Sequence, residues 1–271
     1  MNCKNCDIPL SKSQRYCFEC GARVIKNRLT IKTLFHQINA EFLSVDNKLL
    51  KTFMHLFSKP EVVINGFIDG TRKKYMGVIQ YLAIALTLLG LQVFLMENVF
   101  NDPDMYTSTF LEEMAKKPGQ ENNPFLNPNS KFSDFNSFQS LYFTISLPFS
   151  ALATWVAFWV VGFRQFNFTE HIVLNIYYGA QVTIFSTIIY IATLAFGINY
   201  FATSLFITIL FLIYFFHVLK RVFKMSFLMT FGMFILTGAT LGIAVGITLI
   251  IIVIVGFIFV LMNKEKFITS I

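Results

Sequence analysis

From residue 138 to residue 262 the chain offers one apolar stretch after another, each about as long as a bilayer is thick and nearly free of ionisable side chains. A helix needs about 20 such residues to cross hydrocarbon. Once inside, its backbone polar groups must be satisfied within the segment, which a helix does by itself. The fold class that follows is an all-α integral membrane bundle. Composition agrees, with 55% apolar and only 14% charged residues, where a globular chain carries about a quarter charged. The 33 phenylalanines call for no special site, because Phe is among the residues most easily placed in lipid.

Five spans are expected, near 78–96, 138–163, 172–196, 200–219 and 225–262. The last run is too long for one perpendicular helix and barely long enough for two, so six spans is the competing count. Gly238, Gly242 and Gly246 favour one continuous helix, since only then do they share a face; Lys264 and Lys266 favour a returning hairpin. Pro148 is expected to kink the second span. Segment 97–137 carries seven acids against three lysines with several prolines, which suits an outer loop. Arg72, Lys73 and Lys74 precede the first span, and Lys220, Arg221 and Lys224 follow the fourth. Both clusters are expected on the cytosolic side, in contact with lipid head groups.

All four cysteines fall at the N-terminus as two C-x-x-C pairs, Cys3/Cys6 and Cys17/Cys20. Each pair aims two thiolates at one ion, and together they close a tetrahedral shell with no open position, which predicts a structural Zn2+ ribbon over 1–25. Thiolates require a reducing compartment, and no secretory signal opens the sequence, so the N-terminus is expected in the cytosol. Asp7 and Glu19 interrupt the ribbon's few cations, and no nucleic acid is expected as partner.

Between the ribbon and the first span, segment 26–75 contributes to a total of 13 basic against 6 acidic residues over 1–75. Ile31, Leu34, Phe35, Ile38 and Phe42 recur at helical spacing, as do Leu49, Leu50, Phe53, Met54 and Phe57 before Pro60 breaks the pattern. Basic amphipathic helices lying on the inner leaflet are expected here. The spanning domain then covers 76–262, and 263–271 form a tail.

Polar residues inside spans are expensive and mark a pathway or pocket by default. Glu170, His171, Asn175, Tyr177, Tyr178 and Gln181 follow one another on the third span, His217 lies near the same end of the fourth, and Arg164 lies on the rim. They could form a ligand or polar site; interhelical hydrogen bonding is the competing account. No motif for nucleophilic, phosphate or metal-dependent catalysis is present.

The paired cysteines, Arg28-Leu-Thr30, the stretch from Lys59-Pro60 to Gly70-Thr-Arg72-Lys73-Lys74-Tyr75, Phe168-Thr-Glu170-His171-Ile-Val and Lys220-Arg221-Val-Phe together make the chain resemble a family of bacterial membrane proteins abundant in Bacteroidetes, domain of unknown function 3667. The chain departs from the pattern in having Glu61 where a glycine commonly follows the proline. The resemblance implies a multi-pass protein of the bacterial cytoplasmic membrane and brings no activity. Two readings of function remain: a ribbon that docks a protein partner on a membrane bundle, and a small-molecule, ion or lipid transporter using the polar cluster. Oligomeric state stays open.

Overall fold

A computed structural model describes residues 2–11, 13–22, 24, 48–100 and 139–262. The expected helix over 31–42, nearly all of the acidic outer loop and the tail 263–271 lie outside the described residues. The chain divides into two compact units, 1–48 and 49–271. The boundary thus falls inside the segment expected to run from 26 to 75, and Leu49 onward belongs to the same unit as the spans.

Among the described residues this larger unit holds seven helices: α1 Lys48–Ser58, α2 Pro60–Ile68, α3 Val78–Asn98, α4 Gln139–Val160, α5 Phe168–Ala195, α6 Tyr200–Val222 and α7 Phe227–Met262. The last five are long and apolar enough to cross a membrane. α7 is continuous, which decides the count for five spans over six. Its 36 residues would extend about 54 Å at 1.5 Å per residue, well beyond the about 30 Å of hydrocarbon, so it tilts in a bilayer or projects from it.

α5 is the central helix. Leu174, Tyr177, Ala180, Gln181 and Ile184 on it are all buried, while α7 beyond Thr240 presents Ile243, Ile247, Ile250 and Ile254 outward. Outward apolar surface is what a helix facing lipid should show. The third span is expected from 172; the helix starts at Phe168 because Asn167 caps it. The Asn167 side chain accepts from the Glu170 N–H at 3.0 Å, and the Glu170 carboxylate accepts from the Asn167 N–H at 2.7 Å. These reciprocal bonds satisfy two donors that the first turn would otherwise leave orphaned. α4 runs unbroken through Pro148.

Helices α4 and α5 approach closely at Gly179, where an added Cβ would lie 2.9 Å from Leu147 Cδ2 and 3.3 Å from the Phe143 ring. Gly179→Ala should be tolerated after a shift of the flexible Leu147, whereas Gly179→Leu should force the helices apart at a cost of about 1–3 kcal/mol. Thermal unfolding in detergent checks this, and a Gly179→Leu protein melting with the wild type would contradict the close approach.

α1 and α2 do not form a layer of their own. Thr52, Leu56, Val63 and Ile64 are fully buried against the spans. α1 makes contacts with three spans or their flanks: Thr52 Oγ1 accepts from the Met76 N–H at the start of α3, the Phe57 ring meets Phe185 of α5, and Leu56 meets Tyr214 of α6. These helices are expected on the leaflet surface; Leu56 of α1 is buried against the spans, while Leu50 and Met54 on the same helix stay exposed, at 58% and 57%, apolar surface that a leaflet can cover. Arg72, Lys73, Lys74, Arg164, Lys220, Arg221 and Lys224 all gather where α3 and α5 begin and α4 and α6 end, which we term the basic end of the bundle.

Candidate metal centre and intramembrane polar residues

The N-terminal unit repeats one backbone device twice. In the first knuckle Cys3 N–H donates to Ile8 C=O and Cys3 C=O accepts from Asp7 N–H, both at 2.9 Å; in the second, Cys17 N–H donates to Ala22 C=O at 2.8 Å and Cys17 C=O accepts from Gly21 N–H at 3.0 Å. Each turn passes through a left-handed residue at the same offset, Asp7 at φ 59° and Gly21 at φ 68°. Asp and Gly are among the few residue types that adopt this region readily. An antiparallel bridge between Asn2 and Pro9 and the buried Leu10 close the first turn over Cys3 and Cys17.

The result brings four sulfurs within 4.8 Å of one another, with Cys3 to Cys20 and Cys6 to Cys17 each at 3.6 Å. A disulfide would need about 2.05 Å, and all four cysteines are free. A metal ion with tetrahedral thiolate bonds of about 2.3 Å would set its sulfurs about 3.8 Å apart. The donor set therefore fits such an ion. The thiols differ in acidity: the Ala22 N–H, the Asn5 side chain and the Cys6 thiol pull Cys20 down to about 6. At Cys6 the Ile8 N–H pulls downward, but proton sharing with Cys20, burial, and the Cys17 and Cys3 thiols together push it up to about 12. Tyr16 and Phe18 beside the second pair stay exposed, at 56% and 68%. Neither is among the expected site residues, although their place around Cys17 is plain in the sequence.

In the bundle, the polar residues expected as one site separate into several. Glu170 is the α5 cap described above. His171 Nδ1 lies 3.2 Å from Thr154 Oγ1, and Asn175 donates to Thr154 Oγ1 at 2.9 Å and to the His171 carbonyl at 2.8 Å. Thr154 has one hydroxyl proton, which goes to the Ala151 carbonyl at 2.9 Å, so its oxygen accepts from both neighbours and His171 is the Nδ1–H tautomer. The rings of Phe158, Phe166 and Phe223 enclose the imidazole. Its Nε2 is buried without a hydrogen-bond partner among the described residues. Arg164 sits over the Trp159 ring at 5.5 Å, and His217 lies on another face, lining a cleft of α6.

The remaining polar groups clamp α1 and α2. Gln181 is fully buried; its Oε1 accepts from the Tyr81 hydroxyl, and its Nε2 donates to the Phe53 carbonyl at 3.1 Å. Tyr177 donates to the Met76 carbonyl at 2.8 Å. Tyr214 donates to the Leu56 carbonyl at 3.0 Å, and the reason is local: residue 60 is proline and has no N–H to give that carbonyl its helical partner. Asn65 returns the favour from α2, donating at 3.1 Å to the Val222 carbonyl at the end of α6, where helix carbonyls lack internal donors. Arg221 grips Glu61 through two bonds of 3.1 and 2.6 Å. Tyr178 donates to the Phe211 carbonyl at 3.1 Å and stacks on Tyr214. Tyr81, Thr154, Asn65 and Tyr214 were not anticipated from the sequence; only their polarity within apolar surroundings signalled them.

Of the six cations expected at lipid head groups, Arg221 is spent on Glu61. Arg72 lies 4.0 Å over the Phe67 ring and donates to the Phe67 carbonyl, and Lys220 lies 6.0 Å from the Phe227 ring. Lys74 and Lys224 line a cleft at the basic end. Lys73 is exposed.

No curated protein and no solved structure matches the chain. Residues 46–90 match the model of a family described as protein of unknown function. That segment is α1, α2 and the first part of α3, the part of the chain that the buried polar side chains hold in place. The segment is similar to that family, DUF3667.

Proposed function

We propose that the chain is a multi-pass protein of the bacterial cytoplasmic membrane whose N-terminal cysteine unit holds a structural zinc ion in the cytosol and docks a protein partner. The observation that carries this reading is the exposure of Tyr16 and Phe18 on the knuckle that the metal would brace. Large aromatics left in water beside a rigid, closed metal site are characteristic of contact surfaces. Four sulfur donors leave no coordination position for substrate, so the ion's contribution is folding energy. The cytosolic side is supported by the cations collected at the basic end and by the need for reduced thiols.

The transporter alternative requires polar residues facing a cavity. Gln181 and Tyr177 instead spend their hydrogen bonds on backbone carbonyls of α1 and of the link to α3, and Glu170, His171, Asn175 and Gln181 line neither cleft at hand, one built from α2, the link to α3 and Lys224, the other from α6 with Phe57 and Phe185. That arrangement supports docking over transport. Affinity capture with the full-length protein tests it: Phe18→Ser should retain the metal yet lose the partner, and Cys17→Ser should lose both. Equal recovery of bound proteins by wild type and both variants would refute the docking role.

A further inference from the structure

We infer that the basic end of the bundle holds one aminophospholipid, with its phosphate and ammonium in a charged cleft and an acyl chain in an apolar cleft along the same helix. The inference rests on the five helices spanning a membrane and is independent of the ribbon's role.

The charged cleft, about 360 Å³, lies between α2, the link leading to α3 and the turn after α6, and is lined among others by Glu61, Asn65, Asp69, Lys74 and Lys224. Arg221 neutralises Glu61. That leaves two ammonium groups, Lys74 and Lys224, and one carboxylate, Asp69, with no ion pair among the described residues. Asn65 adds an acceptor, because its amide nitrogen is committed to the Val222 carbonyl while its Oδ1 is buried and has no hydrogen-bond partner among the described residues. Lys224 is held at φ 52°, a backbone region that residues with a long side chain adopt rarely. Two cations beside a carboxylate and an amide oxygen complement a phosphate that is itself joined to an ammonium group. A purely anionic head group would leave Asp69 facing negative charge.

The second cleft, about 390 Å³, is lined by Phe57, Phe185, Phe211, Tyr214 and His217, with two further aliphatic residues of α6. It is suited to hydrocarbon. Tyr214, His217 and Arg221 recur three and four residues apart, so they share one face of α6, and Arg221 reaches Glu61 of the charged cleft. Phe57 and Glu61, on either side of Pro60, line one cleft each. From Tyr214 to the end of α6 at Val222 the rise is about 12 Å, on the scale of the distance from a head group to the upper acyl chain. His217 Nε2, buried and without a hydrogen-bond partner among the described residues, belongs to the lining of the second cleft and can meet an ester oxygen at the glycerol level.

The test uses the full-length protein, delipidated in mild detergent and titrated with phosphatidylethanolamine, phosphatidylglycerol or phosphatidylcholine of matched chains, with bound lipids counted by native mass spectrometry. Wild type should hold one phosphatidylethanolamine in preference to the other two. Lys74→Gln and Lys224→Gln should each weaken it about fivefold. Asp69→Asn should shift preference toward phosphatidylglycerol. Phe185→Ala should weaken lipid binding, and soluble phosphoethanolamine should compete poorly. Matched melting curves for the variants separate lost binding from lost fold. Equal binding of the three lipids by wild type, unchanged binding in both lysine variants, or phosphoethanolamine binding as tightly as the lipid would each overturn the assignment.

Discussion

Cys3→Ser in the full-length protein should abolish stoichiometric metal binding while leaving the membrane unit folded. Purified wild type should carry one zinc per chain by elemental analysis. Cys3 is nearly buried and holds the first knuckle at both its N–H and its C=O. A serine there keeps those backbone bonds but replaces a soft thiolate by a hydroxyl that stays protonated, so the tetrahedral shell loses a corner. Among the described residues the apolar core here is Leu10 and the cysteines, with Ala22 and Val24 packed against them, so the unit should then loosen, which protease cleavage within the first 25 or so residues would report. The spans belong to a separate unit, and their insertion follows from apolar burial.

The protons give a second readout of the same event. Before metal enters, Cys20, lowered to about 6, is largely a thiolate at pH 7, whereas Cys6, raised to about 12, holds its proton. Zinc uptake must expel the Cys6 proton, so affinity should fall as pH falls, and an indicator titration in weak buffer should show acid release on adding zinc. Wild-type protein that contains no zinc, or takes it up without releasing protons, would defeat the assignment.

The spans and the cysteine cluster were legible in the sequence because each is written locally, the first as runs of apolar residues and the second as paired cysteines at knuckle spacing. The start of α5 was legible too and was read four residues late: Asn167-Phe-Thr-Glu170 is a capping box in plain view, and it gives Glu170 a local structural role. What local pattern could not reveal was the partner of each intramembrane polar residue. Gln181 answers to Phe53, Tyr214 to Leu56 and Asn65 to Val222, pairs separated by well over a hundred positions. Pro60 was read as a helix breaker, which it is. The carbonyl it strands at Leu56, and hence the need for Tyr214, appears only when α1 and α6 are in contact. The packing of α1 was hidden for a related reason: an amphipathic face suits a leaflet and a bundle equally well, and only the contacts show that Thr52 and Leu56 turn inward while Leu50 and Met54 stay exposed.

The clamp makes a prediction in which two substitutions should do less harm than one. Gln181→Leu removes the acceptor of the Tyr81 hydroxyl in a site where both residues are fully buried. An unpaired buried hydroxyl costs about 1–3 kcal/mol, toward the lower end for hydrogen bonds between spans. The Phe53 carbonyl loses less, since it keeps its helical partner and gives up only its second lone-pair contact. Gln181→Leu should therefore lower the melting temperature and speed hydrogen exchange at the amides of 49–58, as α1 loosens from α5. Adding Tyr81→Phe deletes the stranded hydroxyl, so the double variant should regain part of the lost stability. The hydrogen bond between Tyr81 and Gln181 would be refuted if the double variant were as unstable as the sum of the two single changes. Faster exchange confined to α5, with α1 still protected, would instead show that Gln181 does not hold α1 in place.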